Sequence, residues 1–421
     1  MTETMQNRRE RLMGPNVRLF YDEPVHLVRG QGCRVWDADR REYLDCYNNV
    51  PHVGHCHPKV VEAISRQAAT LNTHTRYLHD GILDYIERLT GKMGPGLDCA
   101  ILTCTGSEAN DIALRMAQAV SGRRGVIATD NTYHGNTSAV TQLSAKMPPI
   151  GGREQHVRLV QAPDSLRRPD PGGAAFAAEV QGAIDALDAD GIGFSALIIC
   201  PYFGNEGFPD IEPGWLDEAA AAVRKAGGIV IADEVQGGFG RTGWMWAHEK
   251  IGLAPDVVTL GKPMGNGHPV AGVVTSAEIM AAFRNSFSYF NTFGGNPVSA
   301  AAAMAVLDVL EEEDLVANAA NVGAYAREGL SALAKRHYGI ADVRGAGLFF
   351  GAEFVLDDAN APATDYARWL AEGMRQRGVL LNVLGRDYNT LKIRPPMPFS
   401  RADADQLLDT LDVVLKETPG P

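Results

Sequence analysis

An aspartate closes the apolar run Gly228-Ile229-Val230-Ile231-Ala232-Asp233, and a lysine, Lys262, follows a second run, Asp256-Val257-Val258-Thr259-Leu260-Gly261. The two side chains stand 29 positions apart (262 − 233). That is the span of one crossover between neighbouring parallel strands, so both would emerge at the same carboxyl edge of a sheet. An acid ending an apolar strand needs a partner; its plainer uses are a helix cap or a buried ion pair. Lys262 leads into Pro263-Met264-Gly265-Asn266-Gly267, a poor setting for a solvated surface lysine. Desolvated near another cation, a lysine loses its proton and becomes a nucleophile. An acid and an amine so placed suit pyridoxal phosphate (PLP). The lysine takes the aldehyde as a Schiff base, and the acid keeps the pyridine nitrogen protonated.

Other segments supply what such a group requires. Thr105-Gly106-Ser107-Glu108-Ala109-Asn110 joins a strand to a helix. Free backbone N–H groups and the helix dipole make an anion site there, with Gly106 allowing close approach. The same residues have the spacing of a capping box, and both uses are compatible. Tyr133, in Tyr133-His134-Gly135, offers a ring to stack on a pyridine face, or simply to pack. Gln236, three residues after Asp233, is placed to reach the ring hydroxyl. Thr292-Phe293-Gly294-Gly295-Asn296-Pro297 opens a second helix, where a hydroxyl and N–H groups bind phosphate or cap the helix.

Elements must hold these groups. Short apolar runs at 100–104, 125–129, 196–200, 229–232, 257–260 and 270–275 alternate with helical patterns, which predicts a parallel sheet covered by helices. Residues 14–50 read as β-rich, 58–71 and 297–313 as helical. Strands are expected at 348–354, 379–383 and 390–393, with helices at 365–377 and 401–416. The fold expected is α/β: a large PLP-binding domain over 58–310 with a mostly parallel sheet, and a smaller α+β domain built from both chain ends, 1–57 and 311–421. A chain of 421 residues has room for both. Its net charge of −12 speaks against a nucleic-acid partner. No apolar run has bilayer length, and residues 1–11 lack a secretory core. Six scattered cysteines without CxxC spacing point to reduced thiols in the cytoplasm, with neither a zinc site nor a disulfide framework.

Taken together these residues resemble class-III aminotransferases, of the fold-type-I PLP enzymes, from about Val28 to Pro396. The resemblance implies Lys262 as the Schiff-base lysine, Asp233 as the pyridinium partner and Gln236 as the ring-hydroxyl contact. It implies Gly106 and Ser107 as the phosphate loop and Tyr133 as the stacking ring. Thr292 matches the threonine that reaches the neighbouring subunit's phosphate, which implies a homodimer with shared sites. The histidine-rich stretch from Asn48 to Pro58, the segment from Leu71 to Asp80, and Lys392-Ile393-Arg394-Pro395-Pro396-Met397 are similar to the branch containing ethanolamine-phosphate phospho-lyase. The histidines lack the helical H-x-x-x-H pairing of a metal site.

Two positions depart from the family pattern. Asn205 stands where relatives place the glutamate that gates the substrate arginine, so Glu206 is off register. Lys392 stands where they place that arginine, three residues before Pro-Pro. Lysine lacks the planar fork that matches a carboxylate but binds phosphate as a point charge. A solvated lysine near a strand end is the plainer alternative for Lys392. Transamination from a small primary amine to a keto acid, the commoner chemistry of the family, is the first expectation. The alternative is elimination of phosphate and ammonia from an O-phosphorylated amino alcohol such as phosphoethanolamine. Both need the same lysine and acid.

Overall fold

The computed structural model describes residues 3–144, 150–417 and 420–421. Three N-terminal strands come first: β1 (Leu27–Gln31), β2 (Arg34–Asp37) and β3 (Glu42–Asp45). The central sheet then uses β4 (Cys99–Thr103), β5 (Gly125–Thr129), β6 (Val157–Val160), β7 (Phe194–Ile199), β8 (Ile229–Asp233), β9 (Val257–Leu260) and β10 (Ala271–Thr275). Its spatial order is β4-β10-β9-β8-β7-β5-β6. The pairs from β6 across to β9 are parallel.

The interior strands β5, β7, β8, β9 and β10 are buried along their whole length. Their apolar runs are continuous because helices cover both faces. In β7, Leu197 and Ile199 pack with the helices Ala174–Ala189 and Asp217–Lys225. The alternate residues Ala196 and Ile198 pack against the opposite face. Expected strand 270–275 does not continue the parallel pattern: β10 runs antiparallel to both β9 and β4. The link from Leu260 to Ala271 is too short for a parallel return, which takes a dozen or more residues. This short link is the one that carries Lys262.

The rest of the chain adds β11 (Ile340–Ala346), β12 (Phe349–Phe354), β13 (Val379–Leu380), β14 (Asn382–Leu384) and β15 (Thr390–Ile393). One strand was expected over 379–383, but two form. β13 pairs in parallel with β3, so both chain ends share one sheet. β14 pairs with β15 in another sheet, ordered β11-β12-β15-β14. The switch falls at Leu381, which is buried and whose carbonyl accepts the Tyr21 hydroxyl at 2.8 Å, outside either ladder.

Among the described residues, the chain ahead of β5 also forms four helices: α1 (Met5–Met13), α2 (Pro58–Thr70), α3 (Asp80–Thr90) and α4 (Gly106–Ser121). The helix Pro297–Glu312, with Asn296 as its cap, packs against α2 and α3.

Candidate active site

β8 ends at Asp233, which pairs in register with Thr259 of β9. Lys262 lies two residues beyond the end of β9, so acid and amine share the carboxyl edge of two adjoining strands. Lys262 opens to solvent along the cleft while its amine sits deep within the protein. That enclosure, together with the Arg394 charge, lowers its pKa, and Asp233 acts in the opposite sense. The lowered value suits an amine that must act as a nucleophile.

Asp233 is only 5% exposed, and both oxygens of its carboxylate accept hydrogen bonds. Oδ2 accepts from Nδ1 of His134 at 2.6 Å and from Nδ2 of Asn110 at 2.9 Å, and Oδ1 accepts from the Val235 N–H at 3.0 Å. Nε2 of His134 lies 3.0 Å from the Thr132 hydroxyl. The sequence reading assigned no role to His134 or Asn110, although both sit inside motifs it singled out. A usable signal was present in α4: Asn110 lies three residues after Ser107, on the same helix face.

α4 carries the expected capping box. The Thr105 side chain accepts the Glu108 N–H at 3.1 Å, and Glu108 accepts the Thr105 N–H at 2.9 Å. Two glycines let three segments meet at this helix start. A Cβ on Gly106 would lie 2.9 Å from Val235, and one on Gly135 would lie 2.6 Å from the Ser107 hydroxyl. Gly135 also holds φ +142°, which disfavours any side chain. The Ser107 hydroxyl donates to Oδ1 of Asn136 at 3.0 Å. Tyr133 precedes this junction with its ring half exposed. An anion cup at a helix N-terminus, an acid at the sheet edge and a lysine beside it form a donor set that fits PLP.

Beyond Lys262 lies a second cluster. Gln236 accepts a hydrogen bond from Arg394, and Nζ of Lys392 donates to the same oxygen at 3.4 Å. The amide nitrogen of Gln236 lies 3.5 Å from Oδ1 of Asn205. Lys392 and Arg394 are both buried, and both stand over the rings of Tyr47 and Phe349 at 5.3–5.9 Å. Burial, then Arg394, then Lys262 push the Lys392 pKa well down. Burial brings Arg394 to about 10, so it remains a cation at neutral pH. Among the described residues, neither cation has a carboxylate in ion-pair contact. Lys392 is therefore not the solvated lysine of the plainer reading. Arg394 was missed, although the strand period of two puts residues 392 and 394 on one face.

Glu206 is not brought to Lys392. It accepts the Thr129 hydroxyl at 2.7 Å, its other oxygen is buried without a partner, and burial raises its pKa to about 7. Thr292 lies in an exposed loop beside Phe293, which is 70% exposed. Nearby, Tyr77, Leu78, Leu83 and Phe290 line a groove of about 440 Å³, away from Lys262. The dense histidines have protein partners: His55 meets Asp45, His57 meets Glu313, and His52 meets Arg241 and the Phe239 carbonyl. Among the described residues, no cluster of three acidic, histidine or cysteine side chains could hold a metal ion.

Residues 20–415 match the family described as Aminotransferase class-III. The chain is 41% identical to "Alanine--glyoxylate aminotransferase 2-like" of Drosophila melanogaster, over 99% of this chain and 88% of the relative. Its structure superposes with a TM-score of 0.95 on a phospholyase from Arthrobacter in complex with phosphoethanolamine, which is 43% identical and matched over 99% of this chain and 100% of that one. It also resembles an amine transaminase from an uncultivated Pseudomonas species in its PLP-bound form, at 28% identity and a TM-score of 0.84, over 94% and 96% of the two chains. PLP is accordingly the cofactor of this protein.

Proposed function

The chain belongs to the class-III aminotransferase family, and we propose that within it the protein is a PLP-dependent phospho-lyase. Its substrate class is a small O-phosphorylated amino alcohol such as phosphoethanolamine. The observation that carries this reading is the buried pair Lys392 and Arg394, converging on Gln236 with no carboxylate in ion-pair contact among the described residues. Two buried cations without a counter-charge are costly to maintain unless a ligand supplies one. A phosphate dianion satisfies both and restores the proton that Lys392 holds weakly. The 43% identity to the Arthrobacter phospholyase supports the same choice.

PLP, when bound, supplies the electron sink that stabilises negative charge on the carbon bearing the amine. The N-terminus of α4, with Gly106 and Ser107, holds its phosphate. Asp233 holds the proton on its ring nitrogen. Gln236 would reach its ring hydroxyl, and Tyr133 would supply the ring that stacks on it. The Lys262 amine moves the substrate's carbon-bound proton. Lys392 and Arg394 grip the leaving phosphate, which departs with the electron pair of the broken C–O bond. One water enters overall; its oxygen becomes the aldehyde oxygen, and the nitrogen leaves as ammonia.

Transamination from a primary amine to a keto acid is the second reading, favoured by the name of the Drosophila relative. Incubation with phosphoethanolamine alone separates the two. The expected result is phosphate and ammonia in equal amounts with no acceptor. Alanine formed from amine plus pyruvate, without phosphate release from phosphoethanolamine, would overturn the reading. Lys392→Ala and Arg394→Ala should each weaken phosphoethanolamine binding by about 10- to 100-fold, the scale of a lost charged hydrogen bond. Ethanolamine binding should change far less, and equal losses for both ligands would reject the anion site.

The protein acts as a homodimer in this reading, with Thr292 completing the partner's phosphate site and the apolar groove of Tyr77, Leu78 and Phe290 covered by the second copy. Mixing Lys262→Ala and Thr292→Ala chains should restore some intact sites once subunits exchange. No recovered activity despite verified exchange would reject the shared site. All six cysteines are free thiols, which supports a reducing compartment, in our reading the cytoplasm.

A further inference from the structure

We propose that Thr259 and Asn110 form a positioning pair that fixes the direction of the Asp233 carboxylate, whichever reaction the cofactor carries. Three elements converge here. Asp233 ends β8, Thr259 lies opposite it on β9, and Asn110 comes from the second turn of α4. All three are buried: Asp233 is 5% exposed, Asn110 1% and Thr259 0%.

The hydrogen bonds allow one arrangement. Nδ2 of Asn110 sits between two acceptors, the His134 carbonyl at 2.7 Å and Oδ2 of Asp233 at 2.9 Å. Reversing the amide would set its oxygen against both. The amide oxygen therefore faces Thr259, whose hydroxyl donates to it at 2.6 Å. Thr259 thus locks the amide, and the amide presents an N–H to Asp233. With His134 on the same Oδ2 and the Val235 N–H on Oδ1, the carboxylate is an acceptor on every side. Among the described residues, Oδ1 accepts from the Val235 N–H alone, which leaves it capacity to accept from a protonated ring nitrogen.

The placement of Asn110 gives the pair a second consequence. The first turn of α4 carries Gly106 and Ser107, which form the anion cup, and the next turn carries Asn110. One rigid helix therefore sets the spacing between the cup and the acid. Loss of the Thr259 hydroxyl leaves a buried amide oxygen unpaired, which weakens the hold that keeps the Asn110 N–H on Asp233.

The test compares wild type with Thr259→Val, which keeps the shape and removes the hydroxyl, and Thr259→Ser, which keeps the hydroxyl. Each is prepared as apoenzyme and titrated with PLP, following the absorption of the bound cofactor. The melting temperature is measured with and without PLP. The expected result is a loss of PLP affinity on the order of tenfold in Thr259→Val, a smaller rise in melting temperature on PLP addition, and a fall in kcat with little change in KM. Thr259→Ser should stay close to wild type. If the valine chain does not fold, Thr259→Ala poses the same question. Wild-type PLP affinity and absorption in the hydroxyl-free chain would overturn the proposal. So would equal losses in the serine and valine chains, because shape rather than the hydroxyl would then be responsible.

Discussion

Lys262→Ala is expected to lower turnover by about four orders of magnitude, because in the proposed reading one side chain serves as both the attachment point for the cofactor and the base that moves the substrate proton. The structure narrows the field of substitutes. Lys262 reaches the cleft from the short link between β9 and β10, with its pKa lowered by enclosure and by Arg394. Lys392, the other lysine in the cluster, is turned to Gln236 and pushed further down by burial and by two neighbouring cations. Held there, it is not a replacement for Lys262. Borohydride reduction of the PLP-loaded enzyme, followed by peptide mapping, should leave the label on Lys262. A label on any other lysine, or an alanine variant within tenfold of wild type, would remove Lys262 from its role.

Asp233→Asn is expected to cost roughly 10²- to 10³-fold in turnover, the range seen when one preorganised electrostatic contact is lost. Two effects combine. The charge proposed to hold a proton on the ring nitrogen disappears. The new amide must also present its NH₂ group either to the donors His134 and Asn110 or to the Val235 N–H, since the present carboxylate accepts from all of them. PLP affinity should therefore fall together with kcat, as measured by cofactor titration and steady-state rates. Near-wild-type turnover would make Asp233 a structural acid only.

The parts of this site visible in sequence were those whose chemistry is local. Asp233 and Lys262 end apolar strands, and Gly106 and Ser107 begin a helix with its own capping box, so type and spacing sufficed. Arg394, His134 and Asn110 escaped assignment for a different reason. Their partners lie 158, 99 and 123 positions away, at Gln236, Asp233 and Asp233. Nothing near them in sequence marks those pairings. The direction of β10 and the division of 379–383 into two strands failed similarly. An apolar run fixes that a strand exists but not which edge it joins, and that choice is made by loop length in the first case and by Tyr21 in the second. Glu206 shows how neighbouring positions can diverge. Its place beside the family's gating position suggested a substrate contact, whereas the backbone turns it toward Thr129.

The sharing of one sheet by both chain ends imposes an order of events on the ribosome. The seven strands of the central sheet are all synthesised by Thr275. β3 emerges early, but its partner β13 lies about 335 residues downstream, a delay of roughly 15–70 s at ordinary elongation rates. Throughout that interval β3 presents an unpaired edge, a template for association with other chains. The strand bearing Lys392, with Arg394 just beyond it, is made later still, and the Arg394 backbone N–H then bonds the carbonyl of Cys46, next to β3. In the proposed reading the nascent chain therefore completes its cofactor cradle before its substrate pocket, and the open edge of β3 closes only as the last strands arrive.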